Sequence, residues 1–190
     1  GFIKGIRVFA DEEIVAIRTY FDALLARVLA AGRDAYSINS AHLNYGRVYD
    51  LLAHRRIVPY LQDLLGPDLI GWGAHFFCKM PRDRKTVSWH QDASYWPMTP
   101  SRTATVWLAI DDADAQNAAM QIIPGSHQGH EHLETIPSGE NQTLGSRVVT
   151  TSQQEAHAVT LAMRAGSLSL HDSYILHGSG ANQSDRRRAG

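Results

Sequence analysis

The stretch Ser167-Leu168-Ser169-Leu170-His171-Asp172-Ser173-Tyr174-Ile175-Leu176-His177-Gly178-Ser179-Gly180 carries the decisive pattern of the chain. Ser167–His171 has strand-like composition, and a second apolar run closes on His177 before a glycine-bounded turn. Segments of the same texture recur upstream at Leu69–Met80, Thr103–Asp111, Ala119–Ile123, Arg147–Thr151 and His157–Leu161. Breakers such as Pro81-Arg82-Asp83-Arg84 and Pro124-Gly125-Ser126 bound them. Short strands without intervening helical repeats predict an antiparallel sandwich or barrel. In such a fold the His177 segment can lie beside a strand far away in sequence.

The N-terminal third reads differently. From Asp11 to Ala31, Ile14, Ile17, Phe21, Leu24, Leu25, Val28 and Leu29 recur at three- and four-residue spacing, which predicts an amphipathic helix. Asp11, Glu12 and Glu13 suit the positive end of its dipole, and Gly32 is a stop. A second helical stretch is expected from Tyr49 to Leu65, divided at Pro59 and ended by Gly66-Pro67. The expectation is an α+β, mainly β, single domain, helical over residues 1–66 and built of strands over 67–190. Gln128–Gln142 reads as a long loop, of the kind that covers active sites.

Composition narrows the function. The 190 residues carry a net charge of −1, without the basic excess of a nucleic-acid partner. No apolar run is long enough to span a membrane, and no signal peptide is evident at Gly1-Phe2-Ile3-Lys4, so a cytoplasmic location is expected. A single cysteine, Cys78, excludes an internal disulfide or a multi-thiolate metal site. Ten histidines then become the place to look for chemistry.

Val87-Ser88-Trp89-His90-Gln91-Asp92 is the strongest local feature. On an extended segment His90 and Asp92 share a face, so an imidazole and a carboxylate could hold one ion. A hydrogen-bonded His–Asp pair at a strand end is the alternative, because ten histidines and thirteen aspartates in 190 residues predict about 0.7 His-x-Asp by chance. His177 strengthens the metal reading. Two histidines and a carboxylate with open positions form the facial triad of non-haem Fe(II) oxygenases. In Arg186-Arg187-Arg188, eleven residues past His177, Arg188 offers the rigid fork that a cosubstrate carboxylate requires. A solvated charged tail is the bland alternative.

Three blocks agree in order and spacing with a known family. They are Trp89-His90-Gln91-Asp92…Tyr95-Trp96-Pro97, Ala119-Met120-Gln121-Ile122-Ile123-Pro124-Gly125-Ser126-His127 and His177-Gly178-Ser179-Gly180…Arg188. Together with the opening Gly1-Phe2-Ile3 they resemble the phytanoyl-CoA dioxygenase family of Fe(II)/2-oxoglutarate oxygenases. The resemblance implies a double-stranded β-helix (jelly-roll, cupin-like) core with N-terminal flanking helices. It implies Fe(II) held by His90, Asp92 and His177, and 2-oxoglutarate whose distal carboxylate pairs with Arg188. Trp107 matches a position beside the cosubstrate, although plain core packing would also explain it. Since the family continues past its arginine, the chain is expected to be trimmed at both ends.

Other residues carry weaker expectations. His75 and Phe77 could reach the cosubstrate or substrate. Gln91, Tyr95, Trp96 and Met98 could line a substrate pocket, and Arg82, Arg84, Lys85 and Arg102 could form a local anion site. His171 shares a face with His177 on a continuous strand and could sit behind the ligands. His127, His130, His132 and His157 read as loop or surface residues, and His42 and His54 stay unplaced. The expected reaction is hydroxylation of an unactivated C–H of a small organic metabolite, using O2 and releasing succinate and CO2. A cupin-type metalloenzyme without 2-oxoglutarate and a non-catalytic β-sandwich binding module are the rivals. Neither nucleic acid nor membrane is an expected partner.

Overall fold

Strands dominate wherever β-branched and aliphatic residues alternate with small polar ones, and a computed structural model describes residues 1–96 and 98–190. The expected block Trp89–Pro97 therefore extends one residue beyond what is described. In chain order the strands are β1 (Phe2–Arg7), β2 (Cys78–Lys79), β3 (Val87–His90), β4 (Ala104–Leu108), β5 (Gln121–Ile122) and β6 (Thr135–Pro137). They continue with β7 (Ser146–Val148), β8 (Val159–Thr160), β9 (Ser167–Asp172), β10 (His177–Ser179) and β11 (Arg188–Ala189). The helices are α1 (Asp11–Ala30), α2 (Gly46–Leu52), α3 (Val58–Leu65) and α4 (Ser152–Ala156).

Two antiparallel sheets carry the fold, one ordered β1-β9-β4 and the other β3-β10-β5-β8. Two ribbons, β11-β2 and β6-β7, complete it. The second sheet positions the site: β10, late in sequence, lies between β3 and β5, with His177 directly opposite His90. Gly178 permits that approach, because a Cβ there would stand 2.8 Å from the Val87 carbonyl oxygen.

α1 lies where its apolar stripe predicts. Phe21, Leu24 and Leu25 pack with Phe76, Cys78 and Ala189, under the outer face of the β2–β11 ribbon. Phe21 and Phe76 stack with ring centroids 5.1 Å apart.

Several expectations are corrected. Residues 1–66 are not wholly helical: Phe2–Arg7 is a strand against β9, with the register shifting beside Gly5, whose positive φ suits a bulge. Pro59 does not divide a continuous helix; it sits in the first turn of α3, where its missing N–H costs nothing. Only Cys78–Lys79 of the expected strand 69–80 joins a ladder, since Gly71 and Gly73 break the earlier part, leaving an isolated bridge from His75 to Asn39. The Gln128–Gln142 segment is not all loop, because Thr135–Pro137 pairs with β7. Beyond β7 the backbone turns into α4, with Thr151 capping it through Gln154.

Candidate active site

The backbone register brings the first two imidazoles together, and backbone carbonyls fix their orientation. The His90 and His177 rings lie 4.0 Å apart between centroids. His90 Nδ1 stands 2.7 Å from the Ser88 carbonyl and His177 Nδ1 3.0 Å from that of Ile175. A carbonyl only accepts, so each Nδ1 donates and each Nε2 is left facing the Asp92 carboxylate. After His90 the chain leaves the strand for a 3₁₀ turn, Asp92–Tyr95, which swings the Asp92 carboxylate toward both rings. Asp92 Oδ1 lies 3.6 Å from His90 Nε2 and 3.6 Å from His177 Nε2.

Donor atoms of His90, Asp92 and His177 all fall within 4.8 Å of one another. Ligand atoms around one divalent ion with bonds of about 2.1 Å sit roughly 3–3.5 Å apart, so this set closes on a metal with little movement. The donor chemistry also fits: two imidazole nitrogens, one carboxylate oxygen and, among the described residues, no fourth protein ligand within that group. Burial, reinforced by the facing His90 ring and opposed by Asp92, pushes the His177 imidazole toward its neutral form. Burial alone would raise Asp92, but the imidazoles of His177, His171 and His90 outweigh it and keep the carboxyl well below its ordinary range. Both states are those a metal requires.

Asp92 Oδ2 is held from the other sheet. Thr105 Oγ1 donates to it at 2.6 Å, and His171 Nε2 lies 3.3 Å away. Thr105 and His171 are register partners on β4 and β9, which explains their arrival at one oxygen. The expectation that His171 stands behind the ligands matches its position. Thr105 escaped the sequence reading, because a lone threonine in a strand carries no signal.

The inner end of the site is cationic. Arg188 is only 2% exposed, and its chain segment is a paired strand rather than a solvated tail. Its Nη2 stands 3.3 Å from Ser179 Oγ and its Nη1 3.5 Å from the Phe77 carbonyl oxygen, both long contacts. Nε is buried with no partner among the described residues. Burial draws the guanidinium down to about 10, still charged at neutral pH. Such a group keeps unused N–H donors in a fixed planar fork. Trp107 lies beneath it, the Arg188 Cζ 5.7 Å from the ring centroid, and it also packs in the core. Ser179, two residues past His177 and on the same face, stands about 7 Å along the strand from it. The His177-Gly178-Ser179 motif contained that residue, yet its role was not read. The neighbouring arginines are spoken for: Arg187 bonds Asp111 at 2.7 Å, and Arg186 bonds Asp114 at 2.6 Å.

The remaining expected residues divide. Tyr95 sets its ring edge-on to His90 at 6.0 Å and donates its hydroxyl to the Ser146 carbonyl, so it borders the metal position. His75, exposed and 3.2 Å from Asn39 Oδ1, lies close enough to Asp92 to feel its charge. Phe77 is half-buried, facing Tyr36. Trp96 is half-buried and Arg102 exposed. Gln91 is a correction: its amide donates to the carbonyls of Tyr174 and Glu131 and accepts from Leu133 N–H, so it ties down the 131–133 segment instead of lining a pocket. Of the four cations expected near the motif, Asp185 takes Arg82 through two bonds and Asp34 takes Lys85. Among the described residues, no helix is long and apolar enough to cross a membrane.

Comparison with known proteins agrees with this geometry. Residues 1–190 match the family model described as phytanoyl-CoA dioxygenase. A probable alpha-ketoglutarate-dependent hypophosphite dioxygenase from Stutzerimonas stutzeri is 31% identical, over 80% of this chain and 53% of its own length. Ectoine dioxygenase from Halomonas elongata is 26% identical, over 100% of this chain and 64% of that protein. The chain thus spans about half of the first of these relatives and under two thirds of the second. Among solved structures, the apo non-heme monooxygenase ThoJ is similar with a TM-score of 0.85 and 28% identity, covering 100% of this chain and 71% of that one. EvdO2 from Micromonospora carbonacea var. aurantiaca, complexed with 2-oxoglutarate, shares the fold at a TM-score of 0.74 and 19% identity, covering 100% of this chain and 83% of that one.

Proposed function

Because this chain belongs to the phytanoyl-CoA dioxygenase family, we propose that it is an Fe(II)- and 2-oxoglutarate-dependent dioxygenase that hydroxylates an unactivated C–H of a small organic metabolite. Its two facing sheets are read as a jelly-roll core within a single dioxygenase domain. The observation that carries the reading is two imidazoles and a carboxylate brought together, with an incompletely bonded arginine reaching Ser179, two residues past His177.

His90, Asp92 and His177 are the proposed metal ligands. When bound, Fe(II) with 2-oxoglutarate and O2 supplies the oxidising chemistry, releasing succinate and CO2. The protein's own residues do the rest. The Ser88 and Ile175 carbonyls keep both Nε2 atoms aimed inward, and Thr105 with His171 turns one Asp92 oxygen toward the ion. Arg188, Ser179 and Trp107 would hold the distal carboxylate, and His75 is a further candidate for cosubstrate contact. Tyr95, Trp96, Phe77 and Arg102 remain candidates for substrate contact. Arg188 favours this reading over a cupin-type enzyme without 2-oxoglutarate, where a buried, incompletely bonded guanidinium has no purpose.

Relatives named for hypophosphite and ectoine suggest a small, polar substrate class. Succinate formation from 2-oxoglutarate, dependent on added Fe(II) and O2 and lost in Asp92→Ala, tests the proposal. Succinate production unchanged in Asp92→Ala would overturn it.

A further inference from the structure

We propose that Lys79 is a second cationic anchor for the distal carboxylate of 2-oxoglutarate, acting beside Arg188. The inference rests on the cofactor reading above and extends it to a residue that no motif marked.

Lys79 and Arg188 are direct register partners across the β2–β11 ribbon, so their side chains leave the same face. Cys78 and Ala189, on the opposite face, pack into the core with α1. Lys79 has no solvent exposure at all. Its ammonium donates to the Lys85 carbonyl at 2.6 Å, just before β3. The Arg188 guanidinium reaches Ser179, whose register partner is Val87, the first residue of β3. Both cationic heads therefore converge on the start of β3, one end of the sheet whose other end carries His90 and His177.

Neither cation has a carboxylate within salt-bridge distance among the described residues. Asp83, whose charge is felt by both, already accepts from the Tyr36 hydroxyl at 2.8 Å and from the Lys85 N–H at 2.9 Å. Lys85 turns its own ammonium away to Asp34. Two buried, uncompensated positive charges on one face are costly unless an anion completes them. The structure without ligand reflects that cost. Burial first and the Arg188 charge second pull the Lys79 ammonium down to about 7, with Asp83 opposing. Tyr36 is held protonated by burial and by Asp83, so it contributes no charge here. A carboxylate arriving between the two heads would restore the lysine proton. Cosubstrate binding above pH 7 would therefore take up a proton from solution.

Calorimetric titration of the Mn(II)-loaded protein with 2-oxoglutarate near pH 8, repeated in buffers of different ionisation enthalpy, measures that uptake directly. The expected result is net proton uptake in the wild type, absent in Lys79→Met, whose affinity is also weakened about tenfold. Lys79→Arg keeps its charge at every pH and should bind without uptake. Wild-type binding with no proton uptake and an affinity matched by Lys79→Met would overturn the proposal and leave the cofactor reading standing. Protein that takes up Mn(II) but no 2-oxoglutarate would overturn the cofactor reading and this inference with it.

Discussion

Thr105, on one sheet, donates its hydroxyl at 2.6 Å to the carboxylate of Asp92, which follows a strand of the other. The bond occupies Oδ2 and leaves Oδ1 facing both imidazoles, so it selects which oxygen meets the ion. Thr105→Val keeps the shape and deletes the donor. Loss of a hydrogen-bond partner behind a metal ligand typically costs 10–100-fold in metal affinity. Competition against a fluorescent chelator should show a loss in that range, and an affinity within twofold of wild type would mean that His171 alone suffices.

Arg188→Ala should weaken 2-oxoglutarate binding by about 2–3 kcal/mol, roughly 30- to 150-fold in Kd, as expected for hydrogen bonds to a buried charge. Arg188→Lys should recover only part of this, because an ammonium is a point charge without the planar fork. Metal affinity should be unchanged in both variants, since Arg188 contacts none of the three ligand residues. Calorimetry on the metal-loaded protein separates the two effects.

Gln91→Ala should behave as a stability variant. Its side chain is buried and satisfies two carbonyls and one N–H. Leaving these unpaired is expected to cost about 2–4 kcal/mol in urea unfolding. Metal affinity of the folded variant should be retained. A selective loss of substrate turnover at unchanged stability would return Gln91 to the pocket.

Glu13 gives a pH test away from the site. A hydrogen bond from Arg56, with one from the Ala10 N–H, lowers its carboxyl from the ordinary 4.5 to about 2. A depressed acid contributes stability above its unfolded value and loses it as pH falls through the folded one. Wild type should therefore melt above Glu13→Gln at pH 6, with the gap shrinking below pH 4.5 and closing near pH 2. A gap that ignores pH would show that the ionised pair contributes nothing. The group is exposed, so the effect is small and salt-sensitive.

His90 and Asp92 were legible because they stand two residues apart, and His177 because it completes, with them, blocks that resemble a known family in order and spacing. α1 was legible because its stripe repeats over five turns. Residues that act only through long-range register were not. Thr105 and Lys79 matter because β4 lies on β9 and β2 lies on β11, and neither pairing is written in local composition. Gln91 misled for the opposite reason. It stands between two ligands, but the turn after His90 sends its side chain to the backbone of a distant segment.

The central claim is that one site holds Fe(II) and 2-oxoglutarate together. Its most direct test is an anaerobic titration with Fe(II), then 2-oxoglutarate, followed by visible absorption. The account predicts a charge-transfer band that saturates near one equivalent of each and disappears in Arg188→Ala. Iron that binds without any such band on adding 2-oxoglutarate would contradict it.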